Sequence, residues 1–220
     1  ALTVDKDAIT RRVRRGGEPI ARTFIPPGSL GEYRSPPGLG FDPAAARGLL
    51  REAGFDDAHP LPEIELLFNN EGGHDLIAQA VAADWSRHLG ISVRLVQKES
   101  KVFRDDVKAG RFMVSRATWF GDYGDATTFL DLNRTGNGNN DRGYSSAAYD
   151  DLLARAHAST DQAERRLLLE RAEAILVDED LPLLPLFHFV QVYLYDAHRV
   201  IGISSHPRQD QAFDRLRIER

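Results

Sequence analysis

The alternation of strand-like and helix-like segments in the middle of the chain most constrains its fold. Short apolar runs typical of buried strands alternate with helical patterns, in the order 63–68, 74–89, 91–97, 100–109 and 111–119. Two strand–helix–strand units that share their middle strand form a parallel sheet with right-handed crossovers. The sequence therefore predicts an α/β fold with parallel βαβ units, in which strand 63–68 holds a middle or inner position.

Local signals predict further helices outside this region. Asp42 and Pro43 are suited to begin a helix, and Gly54 is suited to end it. Helical patterns also occur later in the chain and near its start, at 5–15, 147–157 and 161–178.

The remaining segments are predicted to be extended or irregular. Residues 184–196 are rich in aromatic side chains and read as a long strand, and 213–218 read as a short one. Residues 18–42 contain five prolines, and residues 120–146 are rich in Gly, Asn and Asp. Both of these segments are predicted to be loops.

Composition excludes several classes of protein. The chain has no cysteine, which removes disulfides, zinc thiolate sites, iron–sulfur clusters and cysteine nucleophiles. A formal net charge of −5 argues against a nucleic acid partner that needs a broad basic surface. No apolar run approaches the roughly 20 residues that a membrane-spanning helix requires.

One segment, RATWFGDYGD at 116–125, combines groups that suit a zwitterionic ligand. It begins where strand 111–119 ends, and ligands of open α/β sheets bind at the carboxyl ends of strands. Arg116 offers a cation for a carboxylate, Asp122 an anion for an ammonium, and Trp119 and Tyr123 offer aromatic surface. Taken alone, the segment is also consistent with an ion-paired loop.

The motifs of common enzymes are absent from the sequence. Glu71 and His74 stand three residues apart, but no H-E-x-x-H motif occurs, nor a G-x-S-x-G elbow, G-x-G-x-x-G or P-loop. A metal-assisted hydrolase that uses Glu71, His74 and the pair Asp122 and Asp125 stays an alternative. No cofactor is expected.

Several motifs together resemble the extracytoplasmic solute-binding proteins of peptide ABC transporters, family 5, the oligopeptide and dipeptide-binding group. They are, in order, ALTVDKDAI, DPAAARGLLREAG, GHDLIAQAVAADWSRHLGISVRL, WFGDYGDATTFL, NNDRGYSSAAYDDLLARA and AEAILVDEDLPLLPLF. Two positions depart from the family pattern. Ala126 stands where proline is common, and Val107 stands at a basic position, with Lys108 beside it.

The resemblance implies a lobe of the periplasmic-binding-protein type II architecture. Family members close two lobes around an extended peptide. Residues 1–220 are expected to be the C-terminal lobe, with the N-terminal lobe absent, and the tail 196–220 is expected to return toward that missing lobe.

The resemblance also implies a function without catalysis. The expected function is capture of oligopeptides or dipeptides in the periplasm or another extracytoplasmic compartment, for uptake through ABC permease subunits. The protein is expected to be a monomer, and an upstream segment is an expected place for a membrane anchor. A scaffold domain that kept the fold and lost the ligand is a further alternative.

The family pattern assigns roles to individual residues. Asp122 is expected to bind the ligand's α-amino group, Arg116 its C-terminal carboxylate, and Trp119 to line the pocket. His74 matches a histidine that reaches longer ligands. The full predicted set of ligand-binding residues is Asp122, Trp119, Arg116, His74, Tyr123 and Asn140.

Overall fold

A three-stranded parallel sheet forms the centre of the α/β part of the computed structural model. The strands are β1 (Ile64–Asn69), β2 (Val93–Lys98) and β3 (Val114–Ser115), and their order is β2-β1-β3. The inner position of the first strand is thus confirmed. β3 is shorter than predicted, although Arg116 N extends the ladder by donating to Leu67 O at 2.9 Å. The structure describes residues 1–56, 58–205 and 211–219.

The helices around this sheet begin and end close to the predicted residues. They are α1 (Lys6–Ala8, continued as a π-helical turn over Ile9–Arg14), α2 (Pro43–Glu52), α3 (His74–Leu89) and α4 (Ser100–Lys108). The Asp42 carboxylate caps α2 by accepting from Ala45 N at 2.9 Å, and the Glu99 carboxylate caps α4. These caps satisfy backbone N–H groups that have no partner inside the helix.

A first hydrophobic core forms where α3 and α1 pack on the sheet. Its buried members include Leu66, Phe68, Ile77, Val81 and Ile9. Leu66 and Phe68 alternate along β1 and so share one face of the sheet, which explains why they contact the same helix. Leu184, Leu186 and Phe187 add partly buried apolar surface to this core.

A second core belongs to a helical part that follows the sheet. This part contains α5 (Thr127–Leu130), α6 (Ala147–Ala158) and α7 (Gln162–Ala174), which continues as a π-helical turn over Ile175–Glu179. Tyr149, Leu153 and Leu176 are fully buried there. Among the described residues, no helix combines the length and the apolar character needed to cross a membrane.

The prediction of a loop over 120–146 was wrong at the centre of this segment. The centre contains α5 and a 3₁₀ turn over Asp131–Asn133. The Asp125 carboxylate stabilises the start of this short helix by accepting from Thr127 N at 3.0 Å and from Thr127 Oγ1 at 2.7 Å. A helix of four residues is too short to show hydrophobic periodicity, so the sequence pattern missed it.

The prediction of a long strand at 184–196 was also wrong. The segment makes only an isolated bridge, between Phe187 and Ile20, flanked by hydrogen bonds from Ala21 N to Leu186 O and from His188 N to Pro19 O. Aromatic and β-branched residues favour a pleated surface, but a strand also needs a continuous ladder partner. The 19–21 loop supplies too few residues, and Pro19 has no N–H to donate.

The predicted strand 213–218 is mostly irregular. Within it, the paired strand is β5 (Arg217–Ile218), which runs antiparallel to β4 (Val200–Ile201). A 3₁₀ turn occupies Phe213–Arg215. Part of the tail 196–220 lies outside the described residues, and its return toward a second lobe stays a prediction.

A buried carboxylate fastens the proline-rich 18–42 segment to the helical part. Glu173 on α7 is fully buried and accepts from Ile25 N at 2.8 Å and from Tyr33 Oη at 3.0 Å. Burial raises the pKa of this carboxyl, although its hydrogen bonds act in the opposite direction. Both donors lie in the irregular segment. Since this segment has no β-ladder to hold it in place, the hydrogen bonds to Glu173 hold it against α7.

A bidentate ion pair fastens the loop after β3 to the same helix. The Asp125 carboxylate accepts from Arg165 Nη1 and from Arg165 Nη2, each at 2.8 Å. The Arg165 guanidinium is the largest cause that holds the pKa of Asp125 far below its usual range. The pair therefore ties residues 120–125 to α7 while the carboxyl is ionised.

We expect replacement of Glu173 by alanine to destabilise the protein strongly. The change leaves Ile25 N without its buried acceptor and Tyr33 Oη with only Leu169 O at 3.2 Å, so the free energy of unfolding should fall by about 2–4 kcal/mol. Tyr33→Phe removes one of the two donors and should cost about 1 kcal/mol. Urea unfolding measures both values. Gln162→Ala, at an exposed position of the same helix, is the control, and an equal loss in this control would contradict the role of Glu173.

Replacement of Asp125 by asparagine should destabilise the protein in a pH-dependent way. Since solvent reaches about a third of the side chain, we expect a loss of about 1–2 kcal/mol at neutral pH. The folded-state pKa is depressed, so this stabilisation exists above the unfolded value near 3.9 and disappears as the pH falls below it. Urea unfolding of both proteins from about pH 7 to pH 3 tests this. A difference that stays constant with pH would rule out the ion pair as its source.

Candidate functional site

A cleft of about 2170 Å³ is lined by residues of both cores. Leu66, Phe68 and Ile77 contribute from the sheet side, and Phe129 and Leu132 contribute from the helical side. The loop between β3 and α5 runs along the cleft, because β3 ends at this edge of the sheet. The predicted position of the site at the carboxyl ends of the strands therefore coincides with a real concavity.

The structure brings four of the six predicted site residues to this cleft. Arg116, Trp119, His74 and Tyr123 line it. Asp122 is exposed between two lining residues, Gly121 and Tyr123, but does not line the cleft itself. Asn140 does not line it either.

Arg116 presents a cation without a counterion. Its backbone is fixed by the bond to Leu67 O, and its side chain is partly buried. Within the described part of the chain, the guanidinium makes no hydrogen bond and no ion pair. Burial lowers the pKa of Arg116, but an arginine stays protonated in proteins. An anion in the cleft would therefore meet an unneutralised charge.

His74 lies beside this cation at the start of α3. Its Nδ1 is 2.8 Å from Asn69 Oδ1, and Asn69, the last residue of β1, donates in turn to Ser100 Oγ at 3.1 Å. Burial is the largest cause that lowers the pKa of His74, and the charges of Arg116 and Arg14 lower it further. The imidazole is thus neutral at pH 7 and offers a hydrogen-bonding group rather than a second charge.

The loop that carries Asp122 passes close over the start of α5. A Cβ on Gly121 would lie 3.1 Å from the Phe129 ring and from Thr128 Cγ2, so a larger residue here would require these side chains to shift by a few tenths of an ångström. Asp122 N donates to Thr128 Oγ1 at 2.8 Å, and Tyr123 Oη is 3.2 Å from Thr127 Oγ1. These bonds fix the backbone of the loop and leave the Asp122 side chain exposed to solvent.

Aromatic side chains form one wall of the cleft. Phe120 packs on Phe189 with ring centroids 5.3 Å apart, and Phe187 packs on Phe189 at the same distance. Trp119 lines the cleft nearby, and its Nε1 is buried without a hydrogen bond partner. This wall provides apolar surface for a ligand's side chains.

The sequence prediction missed the segment around 187–191 and Arg14 as parts of the cleft. The Arg14 guanidinium lies 5.2 Å from the Phe187 ring centroid and 5.7 Å from that of Phe189, and it also forms an ion pair with Glu18. The aromatic enrichment of this segment was the available signal. Aromatic enrichment predicts a strand, but an exposed aromatic run also marks a binding surface.

Asn140 acts within its own loop. Its side-chain amide donates to Arg134 O at 3.0 Å and to Tyr144 O at 2.6 Å, and it accepts from Tyr144 N at 3.1 Å. These bonds use both amide hydrogens, so contact between Asn140 and a ligand stays a prediction. Lys108 stands beside Val107, the position that differs from the family pattern. Its Nζ donates to Asp141 Oδ1 at 2.9 Å and to Gly138 O at 3.0 Å.

The arrangement gives no support to a metal-assisted hydrolase. Asp125 is held by Arg165, and His74 by Asn69, so two of the four side chains of that alternative are already engaged. Among the described residues, no group of three or more His, Cys, Asp or Glu side chains is placed to hold a metal ion.

Comparison with known proteins gives consistent matches. The model of the bacterial extracellular solute-binding proteins, family 5 Middle, matches residues 1–141. Oligopeptide-binding protein OppA of Bacillus subtilis is 33% identical over 205 residues, which are 89% of this chain and 37% of that protein. "Probable deoxycholate-binding periplasmic protein YgiS" of Escherichia coli is 33% identical over 97% of this chain and 40% of that protein.

Solved structures of similar proteins share the fold. The unliganded open form of the periplasmic murein tripeptide binding protein MppA superposes with a TM-score of 0.87 at 30% identity, over 99% of this chain and 43% of that one. Haemophilus influenzae OppA in complex with RPPGFSPFR gives a TM-score of 0.79 at 30% identity, over 100% and 44%. The chain spans less than half the length of these relatives. It belongs to the bacterial extracellular solute-binding proteins of family 5.

Proposed function

We propose that this chain is one lobe of an extracytoplasmic solute-binding protein that captures peptides for an ABC importer. The observation that carries the proposal is the partly buried Arg116 guanidinium, which has no counterion among the described residues and lines a large cleft with an aromatic wall. The names of the relatives OppA and MppA support peptides as the ligand class. The name of YgiS indicates that the family also includes a protein with a different ligand.

The proposed site holds a peptide by its two ends. Arg116 binds the C-terminal carboxylate, because a planar guanidinium can donate two parallel hydrogen bonds to it. Asp122 binds the α-ammonium group, and a second lobe that covers its exposed side chain strengthens this pair. Trp119 and Tyr123 contact the ligand's apolar surface, His74 reaches longer ligands, and Asn140 shapes the neighbouring loop.

The proposal includes a second lobe, a permease and a location outside the cytoplasm. One lobe exposes the bound ligand to water, where two charges 4 Å apart attract by only about 1 kcal/mol. The chain alone should therefore bind peptides weakly, as a monomer, and a second lobe should strengthen binding by excluding water. The periplasm is the proposed compartment because relatives are named for it.

Arg116 should make the 220-residue chain prefer a free C-terminal carboxylate. We expect the chain to bind trialanine about 3–10-fold more tightly than trialanine amide, which corresponds to roughly 1 kcal/mol for a charge pair near water. Arg116→Gln should remove this preference. NMR chemical-shift titrations measure the weak affinities.

Arg104→Gln is the matched control, because Arg104 is another arginine of the cleft but is exposed. It should keep the preference for the carboxylate. Persistence of the preference in Arg116→Gln would show that another group binds the carboxylate. Absence of any peptide-dependent shift in the wild-type chain would favour the non-binding scaffold.

Asp122 should act on the ligand's other end. Asp122→Asn keeps the size of the side chain and removes its charge, so it should weaken binding of trialanine by about 3–10-fold. Acetyl-trialanine has no ammonium group, so it should bind both proteins equally weakly. The double-mutant cycle of protein and ligand isolates this pair from other effects. An equal loss for both peptides, with a lower melting temperature, would mean that Asp122 only stabilises the loop.

A further inference from the structure

A second, smaller cavity of about 360 Å³ lies beside the cleft. It is open to solvent and is formed almost entirely by the irregular segment from Ile20 to Pro37, with His188 as a further lining residue. Thr23 and His188 line both cavities, so the small cavity adjoins the cleft. None of the six predicted ligand-binding residues lines it.

Two arginine side chains at this cavity have no ion-pair partner among the residues that the structure describes, although the Glu173 carboxylate borders the cavity through Tyr33 and Ser35, and Glu170 accepts from Arg34 N. Arg22 and Arg34 line the cavity, and within the described part of the chain the Arg34 guanidinium donates only to two backbone carbonyls, of Gly31 and Tyr33. Lys6 Nζ donates to Ala21 O at 2.9 Å. In the described ranges, no carboxylate forms an ion pair with any of these three side chains, although fourteen ion pairs occur elsewhere.

The cationic groups influence one another. Burial is the main cause that lowers the pKa of Lys6 to about 8, and the charge of Arg22 lowers it further. Burial likewise lowers the pKa of His188 to about 4, with an additional effect of Lys6. Lys6, Arg22 and His188 are therefore close in space, and two of the three are protonated at pH 7.

Two buried polar atoms at this cavity have no hydrogen bond partner among the described residues. His188 Nε2 is buried and has no hydrogen bond in the described structure. Ser35, which also lines the cavity, has a buried hydroxyl without a hydrogen bond of good geometry, although the Glu173 carboxylate lies close enough to be affected by it. A buried polar atom without a partner is costly, so it points to a group that would complete its bonding.

The wall of the cavity is built to keep its shape. Gly38 has φ +63°, and a Cβ at this position would lie 2.2 Å from the carbonyl oxygen of Arg22. This close approach holds the end of the proline-rich segment against Arg22. Pro27, Pro36 and Pro37 restrict the backbone of the lining residues, which reduces the entropy lost when a ligand is bound.

We propose that this cavity binds a small anion, through a carboxylate or phosphate group. Arg22 and Arg34 would supply positive charge, and the neutral His188 imidazole would donate from Nε2. Two sources fit this chemistry. A free anion can enter the cavity, or an acidic side chain of a peptide in the cleft can reach it past Thr23 and His188.

Titration of the 220-residue chain with inorganic phosphate at constant ionic strength tests the site directly. The NMR signals of the His188 imidazole should shift in a saturable way. Arg22→Gln should weaken phosphate binding at least about fivefold, since it removes one of the two lining charges. Arg51→Gln, an exposed arginine on α2, is the control and should leave the affinity unchanged. Circular dichroism confirms that each variant is folded.

Competition with peptides distinguishes the two sources. If the source is a ligand's side chain, the chain should prefer Ala-Glu-Ala to Ala-Gln-Ala, and phosphate or Arg22→Gln should abolish this preference. If the source is a free anion, phosphate should bind without any effect on this pair of peptides. Either result supports the site.

Two results would overturn the site. One is the absence of a saturable shift at His188 with phosphate and with both peptides. The other is an equal loss of phosphate affinity in Arg22→Gln and Arg51→Gln, which indicates nonspecific attraction only. Because the phosphate titration needs no peptide, its failure is distinguishable from failure of the proposed peptide-binding function.

Discussion

The parallel pairing of β1 with both of its neighbours is the constraint on which the site depends. It places the carboxyl ends of β1, β2 and β3 at one edge of the sheet. Asn69, at the end of β1, holds His74, and Arg116 leaves β3 at the same edge. Groups that lie more than forty residues apart in sequence thus meet beside one cleft, as is general for open parallel sheets.

The irregular segments depend on buried and partly buried charge for their positions. Glu173 holds the proline-rich segment through a backbone amide and a tyrosine hydroxyl, and Asp125 holds the loop after β3 through Arg165. Both contacts end on α7. This helix therefore holds the proline-rich segment and the loop after β3 against the second core. Hydrogen bonds to these two carboxyl groups specify one arrangement here, where no sheet ladder is available to do so.

The cationic groups near the cleft divide into those that are neutralised and those that are not. Arg14, Lys108 and Arg165 have carboxylate partners within the fold. Arg116 has none in the described ranges, and neither do the arginines of the smaller cavity. An unpaired cation beside a partly enclosed space attracts anions, and this common physical feature underlies both the proposed peptide site and the proposed anion site.

Local patterns were enough to predict the βαβ order, the inner strand and the caps of α2, since periodicity and capping act over a few neighbours. The resemblance of ordered motifs identified the family. The sequence alone failed at 184–196 and at α5, because ladder partners and short helices depend on residues far away or on side-chain placement. Only the tertiary structure decided that Asp125 is neutralised and Arg116 is not, because charge pairing is a matter of distance in space.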